Sequence, residues 1–219
     1  MIKTLLPAVA LTATAVVAVA PAHAGSTTYL GDFNPFTNLA NSWSYTTTDG
    51  VDITATATSY KAANDTHYDS KVGKYIGGLG VTNTQVNQNL GSDSHEVDGR
   101  GWNDTVWLDF STAYELEKVY FSYVDCNDDV RIVDENHQVL AQIDLGSQPN
   151  FFSIVGIDLS GLNISGTKLG FTAFGGNDDW KLKAIKGHAV PTPSAAAAGI
   201  LGLAALSARR RRQQEAAAE

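Results

Sequence analysis

Two turns hold the densest set of side chains able to do ion or acid chemistry. They are Asp125-Cys126-Asn127-Asp128-Asp129 and Gly175-Gly176-Asn177-Asp178-Asp179, each set between two strand-like runs. Calcium takes roughly six to eight hard oxygen ligands from carboxylates, amides and backbone carbonyls. Asp128, Asp129, Asp178 and Asp179 are therefore the candidate Ca²⁺ ligands. Carboxylates this close repel one another unless a cation or solvent relieves them. Neither turn has the EF-hand's Gly at position six or its Glu at position twelve. Asn-Asp-Asp also builds Asx-turns without any ion. The sequence leaves both readings open.

Trp102 and Asn103 are the candidate ligand-binding pair. A sugar site needs an aromatic platform and a few polar groups that fix hydroxyls. Gly101 and Asn103 flank Trp102 and place it in a loop. Trp107 alternates away from Val106, Leu108 and Phe110, which predicts a second outward ring; packing is the competing role for both. The order His95, Glu96, Asp98 puts one imidazole beside two carboxylates. No Gly-x-Ser-x-Gly, His-Glu-x-x-His or phosphate loop accompanies it, so no catalytic residue is assigned. His67, His95 and His137 lie far apart in sequence, without metal-ligand spacing. The single Cys126 allows no internal disulfide.

The elements that must position these groups read as strands. Val51 to Thr58 alternates with period two and is rich in β-branched residues. Thr105 to Phe110, Lys118 to Val124, Val130 to Val133, Gln138 to Leu145, Phe151 to Leu159, Lys168 to Phe174 and Trp180 to Lys186 follow. Asp134 to His137 reads as a hairpin turn. In the last run Trp180, Leu182 and Ala184 share one face, with Lys181, Lys183 and Ile185 opposite. Asn64 to Arg100 is the least regular stretch, with one strand expected at Gly80 to Val86. The fold class is all-β, a single jelly-roll-like β-sandwich over 25–187.

That body is acidic. With Lys3, Arg209 to Arg212, Glu215 and Glu219 set aside, 10 Lys and Arg face 21 Asp and Glu. Such a surface repels nucleic acid and anionic lipid. All 20 aromatic residues lie in it, which excludes a disordered acidic segment.

Both ends are addresses. Lys3, the apolar run Leu5 to Ala20 and Ala22-His23-Ala24 form a secretory signal helix over 1–24, cleaved after Ala24. The tail, 188–219, runs Pro191-Thr192-Pro193, then a short apolar helix over 195–208, then Arg209-Arg210-Arg211-Arg212. The helix would be roughly 20 Å long, against a hydrocarbon core of about 30 Å. The arginines resist translocation, so they stay cytoplasmic and the body lies outside.

The tail resembles the PEP-CTERM sorting tail of Gram-negative and related bacteria, with Thr192 where that family usually has Glu. The resemblance implies processing near the Pro-x-Pro by exosortase, an integral-membrane transpeptidase-like enzyme, after transient inner-membrane insertion of a short transmembrane sorting helix. Gly78-Leu79-Gly80-Val81-Thr82-Asn83, His95-Glu96-Val97-Asp98 and Asp104 to Phe110 are similar to a group of exosortase-dependent surface proteins, with Gly99 where Asn is common. The expectation is a non-enzymatic cell-surface or matrix protein with exopolysaccharide as a partner. The alternatives are a Ca²⁺-assisted carbohydrate-binding module and a secreted hydrolase.

Overall fold

The computed structural model describes residues 25–31, 38–83, 95–125, 127–146 and 153–191, with the separate positions 203, 206, 207 and 209. The expected signal helix and Cys126 lie outside the described residues. Leu203, Leu206, Ser207 and Arg209 are helical, and the rest of the expected sorting helix is not described. Among the described residues no helix is long and apolar enough to cross a membrane.

The body is nearly all β. Its strands are β1 (Ser26–Tyr29), β2 (Asn38–Ala40), β3 (Trp43–Thr46), β4 (Asp52–Lys61), β5 (Thr66–Tyr75), β6 (Gly78–Thr82) and β7 (Val97–Asp98). Then come β8 (Asn103–Ser122), β9 (Asp129–Asp134), β10 (Val139–Asp144), β11 (Ile154–Asp158), β12 (Ser165–Thr172) and β13 (Asp179–Ala189). A short 3₁₀ turn, Ala62–Asn64, joins β4 to β5.

The 20-residue β8 organises the whole. Sequence suggested two strands here; the structure has one. Its first half lies between β4 and β12, its second between β13 and β11. Tyr114 stacks on Phe110 at 4.8 Å across the change of neighbours, and both are buried. Because β13 also pairs β6, and β6 leads through β5 and β4 back to β8, the strands form a closed circuit. The result is a sandwich with barrel-like closure.

Alternation fills the interior. Ile53, Ala55 and Ala57 of β4 face Val106, Leu108 and Phe110 of β8 and Leu169 and Phe171 of β12. Val119, Phe121, Trp180 and Leu182 continue the core. In β13 the expected two faces are mixed: Lys181 and Ile185 are buried as well as Trp180, Leu182 and Ala184. Bulges after Leu182 and Lys186 break the period-two rule there.

Strand β5 was hidden in the stretch read as irregular. Its polar residues point both ways: His67, Asp69 and Lys71 outward, Ser70 inward onto Ser59. The two ends of the body meet at one edge. Ser26 pairs with Gly187, and the Val190 amide donates to Ala113 just before Pro191, which has no N–H to continue.

Candidate functional site

The outer faces of β5, β4, β8, β12 and β9 form a floor whose rows are set by register. One row runs Thr56, Trp107, Gly170, Val133. The next runs Asp69, Thr58, Thr105, Thr172, Arg131, and a third His67, Tyr60, Asn103. Directly opposed residues on a sheet share a face. This alternation therefore puts hydroxyls and rings outward wherever it puts Val, Leu and Phe inward.

Trp107 lies flat in the floor. A Cβ at position 170 would sit 2.7 Å from its ring and 2.8 Å from Val133, so only glycine leaves room for the indole. Its N–H donates to Thr58 Oγ1 at 2.9 Å. Lys168 Nζ hangs 5.3 Å over the ring and pairs with Asp109 at 3.3 Å. Trp107 does face away from the core as expected, but these neighbours leave it 4% exposed.

The turn of the β9–β10 hairpin stands over this floor. Asp134 accepts hydrogen bonds from the amides of Asn136 and Gln138, and the turn holds His137 at a positive φ of 60°. His137 meets Trp107 edge-on at 5.1 Å and His67 at 5.6 Å. His67 in turn lies 4.5 Å from Tyr60, whose hydroxyl donates to Asp65 and is held above its ordinary pKa by that acceptor. The fold thus brings together two histidines separated by 70 positions in the sequence. The pair divides the groove into an ionic hollow of about 710 Å³ and a smaller one of about 390 Å³. Periodicity alone could not find this site, because its rings come from β4, β5, β8 and a hairpin tip.

Of the residues named from sequence, Asn103 lines the smaller hollow. Trp102 does not form the open platform expected of it. It is 9% exposed, packed edge-on to Tyr68 at 4.7 Å and capped by Lys61. Its loop folds back on β5, which the sequence did not reveal as a strand.

The two acidic turns meet in space and clasp each other. Asp179 N donates to Asp128 at 2.8 Å, and Asp129 N donates to Asp178 at 3.3 Å. Asp178 also accepts from Phe174 and Gly175, and Asp128 from Asp125. Asp128 and Asp178 are buried. Burial pushes the Asp128 carboxyl up to about 7 and that of Asp179 to about 6, with neighbouring carboxylates adding to both. Asp129 is raised by the same causes. Among the described residues no group of three or more His, Cys, Asp or Glu is arranged to hold a metal ion.

The glycine-rich segment and the His95 segment lock together beside this clasp. A Cβ on Gly80 would lie 1.9 Å from the His95 carbonyl oxygen, and Val81 N donates to Glu96 O. Val97–Asp98 pairs with Asp179–Trp180, and Glu96 forms a buried ion pair with Lys181 at 3.0 Å. His95 stacks on Tyr75 at 5.3 Å. The motif is a scaffold that seats β13.

No family model and no curated protein matches this chain. Among solved structures it is similar to a Streptococcus pneumoniae fucose binding module. That similarity has a TM-score of 0.28 and 17% identity, over 44% of this chain and 71% of that one.

Proposed function

We propose that this chain is an exported, exosortase-sorted surface protein whose sandwich binds a polysaccharide across the β5–β4–β8–β12–β9 face, without chemistry on it. One observation carries the ligand: the register gathers exposed rings and rows of hydroxyls into one groove on a strongly acidic body. Sugars are bound by stacking on ring faces and by polar groups that fix hydroxyls. Lys71, Lys168 and Arg131 balance Asp69, Asp65 and Glu135 in the groove, which suits a neutral, hydroxyl-rich chain. The body's excess of carboxylates disfavours a polyanion. The sorting reading rests on the tail sequence. It agrees with the body's two ends emerging side by side, where one processed strand edge would leave the groove face unobstructed.

Titration calorimetry against neutral and anionic polysaccharides tests the ligand. Neutral chains are expected to bind, and Tyr60→Ala or His137→Ala to weaken them roughly tenfold each, a ring contact being worth ~1–1.5 kcal/mol. Unchanged affinity in both variants would remove the groove from the account. Mass-spectrometric mapping of termini tests sorting, with ends expected at Gly25 and between Pro191 and Ser194.

A calcium-assisted form of this reading is favoured by one detail. Asp179 Oδ1 is buried without a hydrogen-bond partner, among carboxyls that burial has raised. A melting temperature that climbs with calcium and falls with EDTA at pH 8 establishes the cation; indifference leaves the proton in that role.

A further inference from the structure

The two hollows differ in chemistry, and the difference names a sugar type. The larger is ionic, walled by Lys71, Lys168, Asp69 and Glu135. The smaller has an apolar wall. Val139 pairs directly with Val133 across the β9–β10 hairpin, so the two side chains share the groove face. Phe174 also lines the hollow, its ring braced by the Arg131 guanidinium at 3.6 Å. Val133 is 4% exposed, but Val139 is 53% exposed, a large apolar side chain left open at a position lining a hollow. The same hollow is also lined by Asn103, Asp65 and Tyr60, with Arg131 and Thr172 between them and the valines. A purely apolar ligand would strand those polar groups. A hydroxymethyl seated on the exposed Val139 side chain gains no hydrogen bond from it, whereas a methyl group there loses none.

We propose that the smaller hollow selects a sugar bearing a methyl group, with the methyl on the Val133–Val139 wall and the ring hydroxyls on Asn103 and Asp65. This inference rests on the polysaccharide reading above and narrows it. Two sources supply such a methyl: a 6-deoxyhexose, or an acetyl substituent on a hexose or amino sugar. Both place an apolar group beside hydrogen-bonding oxygens, and matched pairs tell them apart.

The test titrates the full chain with rhamnose against mannose, fucose against galactose, and N-acetylglucosamine against glucose. The methyl-bearing member of one pair is expected to bind about tenfold tighter, since its partner seats a hydroxyl that gains no hydrogen bond there or lacks the apolar contact. Val139→Thr keeps the shape, replaces a methyl by a hydroxyl, and alters an exposed position that the fold does not need. It is expected to erase the preference while leaving the melting temperature within about a degree. Val139→Ala should weaken the methyl-bearing sugar and spare its partner. Equal binding within every pair overturns the inference but leaves polysaccharide binding standing. So does a preference that survives Val139→Thr. Failure of every sugar and every polysaccharide to bind removes the parent reading, and this one falls with it.

Discussion

Replacing Glu96 by alanine is expected to destabilise the fold by about 3–5 kcal/mol, the range for removing one member of a buried ion pair. Glu96 and Lys181 sit 3.0 Å apart with side chains 5% and 6% exposed. The Lys181 ammonium is boxed between aromatic faces, 3.5 Å from the Tyr123 ring and 5.5 Å from that of Tyr75. Burial already pulls the Lys181 pKa below its ordinary value, with Glu96 opposing. Without Glu96 the ring faces and the Asp179 charge remain as partial support, but the direct hydrogen bond is gone. The lysine must then lose its proton or draw in water. The double variant Glu96→Leu with Lys181→Met removes both charges at similar volume, and should recover most of the loss. Urea denaturation at constant m-value measures each case. A cost below about 1 kcal/mol for Glu96→Ala, or a double variant no better than the single, would show that the pair is not held dry.

That pair also explains what the sequence could and could not reveal. The β-rich class was legible because β4 and the first half of β8 alternate cleanly, with Val, Ile, Leu and Phe inward and Thr or Trp outward. The hairpin at Asp134 to His137 was legible from its turn residues. The strands that escaped are those whose inward positions are polar or small. Ser70 of β5 is buried because Ser59 and Asp104 satisfy its side of the sheet. The all-buried β6 overlaps the strand expected at Gly80 to Val86; three of its five residues are glycine or threonine, and its glycines let it approach β13 and His95 closely. Alternation put Lys181 on the face opposite Trp180, Leu182 and Ala184, yet it is buried with them. Its partner, Glu96, lies 85 positions away, beyond the reach of any local pattern. The groove failed to appear for the same reason: Tyr60, His67, Trp107 and His137 are brought together by strand order, which periodicity does not encode. The two acidic turns were visible singly. That they grip each other was not.

The grip gives the protein an unusual pH dependence. The folded Asp128 carboxyl titrates near 7 and that of Asp179 near 6, against 3.8 for an unperturbed aspartate. Both are raised, so between about pH 4 and 7 the folded state binds more protons than the unfolded chain. Stability therefore rises as pH falls through this window, and is lost as pH rises through the folded values. Each pH unit over which one such proton is held is worth about 1.4 kcal/mol. Going from pH 7, where Asp128 is already half protonated, to pH 5, Asp128 alone is expected to add about 2 kcal/mol, with a smaller contribution from Asp179. Glu117 and Asp49 are lowered, by Lys186 and by Thr47 against the opposing effect of burial, so their support is lost only in stronger acid. The optimum should accordingly lie near pH 5 rather than at neutrality. Chemical denaturation at pH 5, 6, 7 and 8 measures the slope. Asp128→Asn has no proton to take up and should flatten it, although its amide cannot accept from both Asp125 and Asp179 as the carboxylate does. The variant is thus expected to lose most at pH 5 and least at pH 8, the reverse of what acid does to an ordinary salt-bridged aspartate. A wild-type profile that rises steadily from pH 5 to pH 8 would mean that Asp128 and Asp179 are ionised in the folded protein. The charge in the clasp would then be met by something other than a proton.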